Sequence, residues 1–307
     1  MWHALATYVA DDTPRPAIAT DSGLYDLRDA ARADAGPLVA RREDDVAGLL
    51  RIWPAIWEEL ARLAARLPAL AAVGRVRPLP ASVALLAPYR PSRIFAAASN
   101  YRDHAKEMGT VLAPRTESVP YFFMKADSSI TDPKAAVIIP RGSAKLDWEV
   151  ELAAVIGRDG RDIAVDAALS HVAGYTVLND VSARDLTRRS DVPFTFDWFR
   201  GKSHDTFGPL GPWIVPSSLI GDPQQLRLRL DVNGEVMQDD TTGSMIFSLA
   251  EQVAYLSTIV TLRAGDLIAT GTPDGVGMGR GRFLKPGDVM RATIERIGTL
   301  ENRIEGA

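Results

Sequence analysis

The pattern of this 307-residue sequence predicts an α+β fold, mainly β, with a smaller N-terminal domain. Three observations carry the prediction. A Pro-rich stretch, RVRPLPASVALLAPYRPSR at residues 75–93, separates two parts of different character. After it, short β-patterned segments alternate with turn signals at Asn233-Gly234, Ala264-Gly265-Asp266 and Pro286-Gly287-Asp288. Before it, the clearest element is an amphipathic helix, in which Trp53, Ile56, Trp57, Leu60, Leu63 and Leu67 recur at helical spacing.

Residues 1–75 add short strand-like pieces to that helix, whose first turn accommodates Pro54 and whose end is placed at Pro68. Polar residues do not cluster there, so the segment reads as structural or as a lid. The Pro-rich stretch reads as an extended connector with one short apolar strand, and a domain boundary falls near residue 88, giving domains 1–88 and 89–307. In the second part RLRLDV alternates with the two-residue period of a strand, and EVMQ returns across Asn233-Gly234 as its hairpin partner. Ser248 and Glu251 have capping-box spacing, with Leu249, Val253 and Leu256 supplying the apolar face of the helix behind them.

Composition narrows the functions. With 46% hydrophobic and 24% charged residues the chain resembles an ordinary globular protein able to bury a substantial core. A formal net charge of −4 gives no electrostatic reason to bind nucleic acid or an anionic membrane, which leaves small molecules as partners. The chain has no cysteine, so a metal would have oxygen or imidazole ligands. The first residues lack a basic start followed by an apolar block, and no apolar run reaches the roughly 18 residues of a membrane span, so a cytoplasmic location is expected.

The most informative segment is LDWEVELAAVIG, residues 146–157. On a strand Glu149 and Glu151 share one face, with Val150 and Leu152 on the other, and their backbones lie roughly 6.6 Å apart. Two such carboxylates repel unless one is protonated or a cation lies between them. Alone, the pair also reads as a solvent-facing edge strand. Asp180, at the expected strand end of GYTVLNDVSARD, completes a three-carboxylate set or serves as a turn or helix cap. Two Glu and one Asp form a hard, all-oxygen site suited to Mg2+, Mn2+ or Ca2+.

Other polar signals are individually open to bland readings. In SNYRDHAKEMG, His104 and Glu107 are three apart, which on a helical turn allows the carboxylate to orient an imidazole that activates water, or describes a surface pair. FRGKSHDTFGPLGP fails as a phosphate loop because its first glycine would fall on Phe196, but Lys202 can bind a carboxylate or developing oxyanion, or be solvated. In LIATGTPDGVGMGRG, Thr270 and Thr272 can donate to carboxylate oxygens, unless the segment is a plain glycine-rich turn.

Taken in order, NYRDHAKE, LDWEVELAAVIG, NDVSARD, GKSHDTFGPLGP, VNGEVMQ and IATGTPDGVG resemble the fumarylacetoacetate hydrolase family over roughly residues 90–304. The resemblance implies a mixed β-barrel or roll as catalytic domain, and a homodimer. It implies that Glu149, Glu151 and Asp180 carry Mg2+ or Mn2+, that His104 and Glu107 activate water, and that Lys202 faces the substrate. Arg102 and Gln238, within the first and fifth motifs, join Thr270 and Thr272 as substrate-binding candidates. One departure is Thr187, where the family motif often has glutamine. The implied function is hydrolysis of a C–C bond in a small 2,4-dioxo acid, of acylpyruvate or diketo sugar-acid type. The alternatives are a metal-dependent decarboxylase or isomerase of oxaloacetate-like or hydroxymuconate-like acids, and, more distantly, a cation-stabilised binding module without turnover.

Overall fold

The segment VELAAVI is apolar on both faces once Glu151 is set aside, and such a strand must be covered on both sides. In the computed structural model, which describes residues 1–40 and 45–307, it forms the fully buried strand Val150–Ile156. Val150, Leu152, Ala154 and Ile156 belong to one apolar cluster, and Ala153 and Val155 to another.

Around this strand runs a mixed sheet of eleven strands among the described residues. Its main path follows Gly23–Asp26, Thr13–Thr20, His3–Ala10, Gly208–Pro216, Val172–Asn179, Val150–Ile156, Leu267–Ala269, Ile94–Ala98 and Tyr121–Lys125. The path is open at both ends, and a second sheet lies across it. That second sheet has the order Glu235–Thr241, Arg227–Val232, Val289–Ile294, Gly298–Gly306 and Ala136–Ile139. Leu228, Leu230, Val232, Met290, Ala292 and Ile294 from it meet Leu152, Tyr175 and Val177 of the main sheet in one cluster. The α+β, mainly β reading holds, with the β-roll realised as two packed sheets.

The hairpin at Asn233-Gly234 forms with Val232 opposite Glu235, and both turn residues have positive φ, 55° and 83°, as a type I′ turn requires. A register shift after Leu230 leaves consecutive residues Met237 and Gln238 both buried. The capping box is complete: Glu251 N donates to Ser248 Oγ at 3.3 Å and Ser248 N to Glu251 Oε2 at 2.8 Å, opening the helix Leu249–Ile259. The short strand in the Pro-rich stretch is Leu85–Leu86.

The N-terminal helix departs from expectation in two ways. It runs from Trp53 to Ala72, straight through Pro68 rather than ending there. Proline removes one backbone hydrogen bond, but Leu67 and Leu70 continue the buried stripe of Ile56, Leu60 and Leu63, and that burial holds the next turn in place. Trp57, assigned to the apolar stripe, is instead 38% exposed. The first segment is not spatially separate from the rest. Leu5 pairs with Ile214 in the main sheet, and Leu60, Leu63 and Leu67 share a cluster with Ala153, Val155 and Ile214.

Candidate active site and metal centre

Strand register brings the acids together. In the antiparallel pair of Val150–Ile156 with Val172–Asn179, Val150 lies opposite Asn179, so Glu149 and Asp180 face each other one step beyond the ladder. Asp180 N donates to the Glu149 carbonyl at 2.9 Å, and Glu149 N to Asn179 Oδ1 at 2.9 Å, which fixes both backbones. Glu151, two residues on, points to the same side, where its Oε2 accepts from Gly271 N at 2.8 Å. The three carboxylates are buried, and one oxygen from each lies within 4.8 Å of the others.

Buried charge needs compensation, and the structure supplies it unevenly. Lys202 Nζ donates to Glu149 Oε2 and to Asp180 Oδ2, both at 2.7 Å. Lys125 Nζ donates to Asp180 Oδ1 at 2.6 Å and to the Lys202 carbonyl. Arg184 donates from Nη2 to Glu149 Oε1 at 2.6 Å and from Nε to Asp147 Oδ2 at 2.7 Å. Burial pushes the Glu149 carboxyl up, but Lys202 and Arg184 outweigh it and hold the group down at about 2. Glu151 has no such neighbour in direct contact among the described residues. Burial first, then the charges of Asp180 and Glu149, push its carboxyl well above the usual carboxylate range.

This asymmetry answers whether the site fits a cation. Oxygens this close can share a divalent ion with bonds of about 2.0–2.6 Å, the donor set is all oxygen, and Glu151 is the acid left wanting positive charge.

A cavity of 310 Å³ opens over the acids and is lined by His104, Glu107, Glu149, Glu151, Lys202 and Thr272 among others. His104 and Glu107 sit on the helix Arg102–Glu107 with Nδ1 3.7 Å from Glu107 Oε2, and Nδ1 has no hydrogen-bond partner among the described residues. Glu107 is held from the other side, accepting from Gly275 N at 3.0 Å. Gly275 has φ +94°, and a side chain there would run into the Met237 carbonyl.

Asp180 stands in the cluster with Glu149 and Glu151, where Lys202 donates to it. Three other sequence candidates are not part of the cavity lining. The Thr270 hydroxyl donates to the Leu152 carbonyl at 2.8 Å, joining two strands. The Gln238 amide accepts from Val150 N at 3.0 Å and donates to Thr272 Oγ1 at 2.8 Å and the Pro273 carbonyl at 2.9 Å, so it braces the strand that carries the acids. Arg102 is exposed and borders a separate small pocket, because two residues from His104 it is turned to the other side of the helix.

Sequence reasoning passed over Asp147, Lys125 and Arg184. Asp147, fully buried, accepts from Gly277 N at 2.6 Å, Met278 N at 2.9 Å and Arg184 Nε at 2.7 Å, tying the glycine-rich loop to the acidic cluster. Its place two residues before Glu149 was the available signal.

The family model described as fumarylacetoacetate (FAA) hydrolase C-terminal matches residues 93–305. The chain is 45% identical over 215 residues to 2,4-didehydro-3-deoxy-L-rhamnonate hydrolase of Sphingomonas sp. (strain SKA58), covering 69% of this chain and 73% of that one. It is 42% identical over 245 residues to a human mitochondrial oxaloacetate tautomerase, covering 79% of this chain and 73% of that one. Fumarylpyruvate hydrolase from Pseudomonas aeruginosa, solved with Mn2+ and pyruvate, superposes with a TM-score of 0.63 at 33% identity over 74% of this chain and 93% of that one. The cluster of three carboxylates beneath a His–Glu wall therefore stands in a chain that belongs to the fumarylacetoacetate hydrolase family.

Proposed function

We propose that this protein is a divalent-metal-dependent hydrolase that cleaves a C–C bond in a small 2,4-dioxo acid, yielding a carboxylic acid and pyruvate or a related oxo acid. The observation that carries the reading is Glu151: a buried carboxylate that shares a cluster with two others, lacks a direct cationic partner, and faces the same cavity as His104. Mg2+ or Mn2+ held by Glu149, Glu151 and Asp180 would supply the charge that polarises the 2-oxo acid end of the substrate.

The chain's own groups account for the remaining steps. His104, oriented by Glu107, takes a proton from water as its oxygen adds to the distal carbonyl carbon. Lys202 uses two of its three N–H groups on Glu149 and Asp180, which leaves one to donate to the oxyanion that forms there. As that oxyanion collapses, the bond to the central carbon breaks, its electron pair moves toward the 2-oxo unit, and the proton on His104 returns to the central carbon.

Similarity to an oxaloacetate tautomerase favours a second reading, in which the same polarised 2-oxo acid exchanges a proton without attack by water. One assay separates the two. Metal-free protein is mixed with acetylpyruvate, and ultraviolet loss and pyruvate release are followed before and after Mg2+ or Mn2+ is added. Metal-restored cleavage that disappears in Glu149→Ala supports the hydrolase. Absence of cleavage together with metal-dependent keto–enol exchange of oxaloacetate assigns the tautomerase, and inactivity on both, repeated with a 2,4-dioxo acid that ends in a second carboxylate, rejects the two readings together.

A further inference from the structure

Beyond the acids, one side of the cavity is an aromatic row. Phe123 stacks on Trp198 with centroids 5.2 Å apart and planes at 20°, and Trp198 stacks on Phe196 at 5.6 Å and 23°. All three rings line the cavity. Cations cap both ends: Lys202 Nζ lies 5.4 Å from the Phe123 centroid, and the Arg188 guanidinium lies 4.8 Å from that of Phe196. A backbone bridge between Arg188 and Phe196 sets the outer end of the row.

The two end cations differ. Lys202 is paired with Glu149 and Asp180. Of the arginines near Arg188, Arg184 is paired with Asp147 and Glu149, and Arg189 with Asp191 and Asp197. Arg188 lines the cavity, yet no carboxylate lies within 4.0 Å of it among the described residues. Its guanidinium carbon lies over the Phe196 ring, and a guanidinium fork can take a carboxylate in bidentate fashion.

We infer that Arg188 is a specificity-determining residue that binds a second carboxylate at the far end of the substrate, so that the acyl part is a planar, unsaturated or extended chain laid along Phe196, Trp198 and Phe123 and ending in an acid. The inference rests on the proposed reading of the floor as a 2-oxo acid site. A polyhydroxylated acyl chain fits this wall poorly, because stacked rings offer few hydrogen-bond partners to its hydroxyls.

The test uses the full chain loaded with Mn2+ and two ligands that differ at one end, 2-oxoadipate and 2-oxohexanoate, with Kd measured by calorimetry. A charge-assisted contact at an exposed site corresponds to about a tenfold preference for the diacid. Arg188→Gln should bring the two Kd values to within about threefold, Arg188→Lys should restore part of the difference, and Arg200→Gln, the same charge change outside the cavity lining, should preserve it. Equal affinities in the unmodified protein, or a preference that survives Arg188→Gln, overturn the inference and leave the 2-oxo acid reading standing. Failure of both ligands to bind overturns the two together.

Discussion

At the floor of the cavity, Glu149, Asp180, Lys125, Lys202 and Arg184 are joined by ion pairs of 2.6–2.7 Å, whereas at its rim Arg188 rests on an aromatic ring with no carboxylate of the described residues against it. The floor is buried, so its charges act through a low dielectric and their positions are held before any substrate arrives. The rim is exposed, so its charge is screened and its influence is limited to which substrates are held. On the proposed reading, one wall does chemistry and the other selects.

The largest effect that sharpens this contrast is expected from Glu151→Gln. It keeps the shape of the side chain but removes a ligand charge, so metal bound per chain, measured by elemental analysis, should fall toward zero. Metal-restored turnover should drop by more than the ~10–100-fold that loss of an outer-shell partner costs. Full activity in this variant would mean that the floor is only a salt-bridge cluster.

His104→Ala comes next. It should lower kcat for dioxo acid hydrolysis by about 10²–10⁴-fold, the span attributed to a positioned general base, while metal-dependent decarboxylation of oxaloacetate changes by less than about tenfold. Equal losses in both reactions would assign His104 to substrate or metal binding instead of water activation.

A smaller effect follows from pH. The Glu151 carboxyl is raised in the folded protein, so the native state binds a proton that the unfolded chain has released above its ordinary value of about 4.3. In metal-free protein this group's contribution to stability is complete below that value and is lost as pH rises through the window up to the raised one. The melting temperature should therefore decline by about 2–4 °C for each unit crossed in that window. Saturating Mn2+ should flatten the decline, and Glu151→Gln should lack it. A decline that persists unchanged in Glu151→Gln would belong to another group.

Much of the floor was legible because strand geometry is local: alternation puts Glu149 and Glu151 on one side, and a strand end puts Asp180 beside them. The compensating charges were not, because Lys125 reaches Asp180 across 55 residues of chain and arrives on another strand. Gln238 was read as facing substrate because nothing in VNGEVMQ announces the register shift that turns its amide toward Val150. Arg102 was drawn from the same helix as His104 without regard to the turn of roughly 200° between residues two apart. At the fold level, Asn-Gly and the capping box carried their elements, while the end assigned to the first helix at Pro68 was overridden by burial of Leu67 and Leu70.

The pairing of Leu5 with Ile214 closes one edge of a buried strand. The strand Gly208–Pro216 is buried almost throughout, and around Ile214 its outer side is covered by the N-terminal hairpin. Without that hairpin it would present bare N–H and C=O groups beside apolar side chains, a template on which other copies can stack. The first segment thus covers a strand edge that would otherwise be open to pairing.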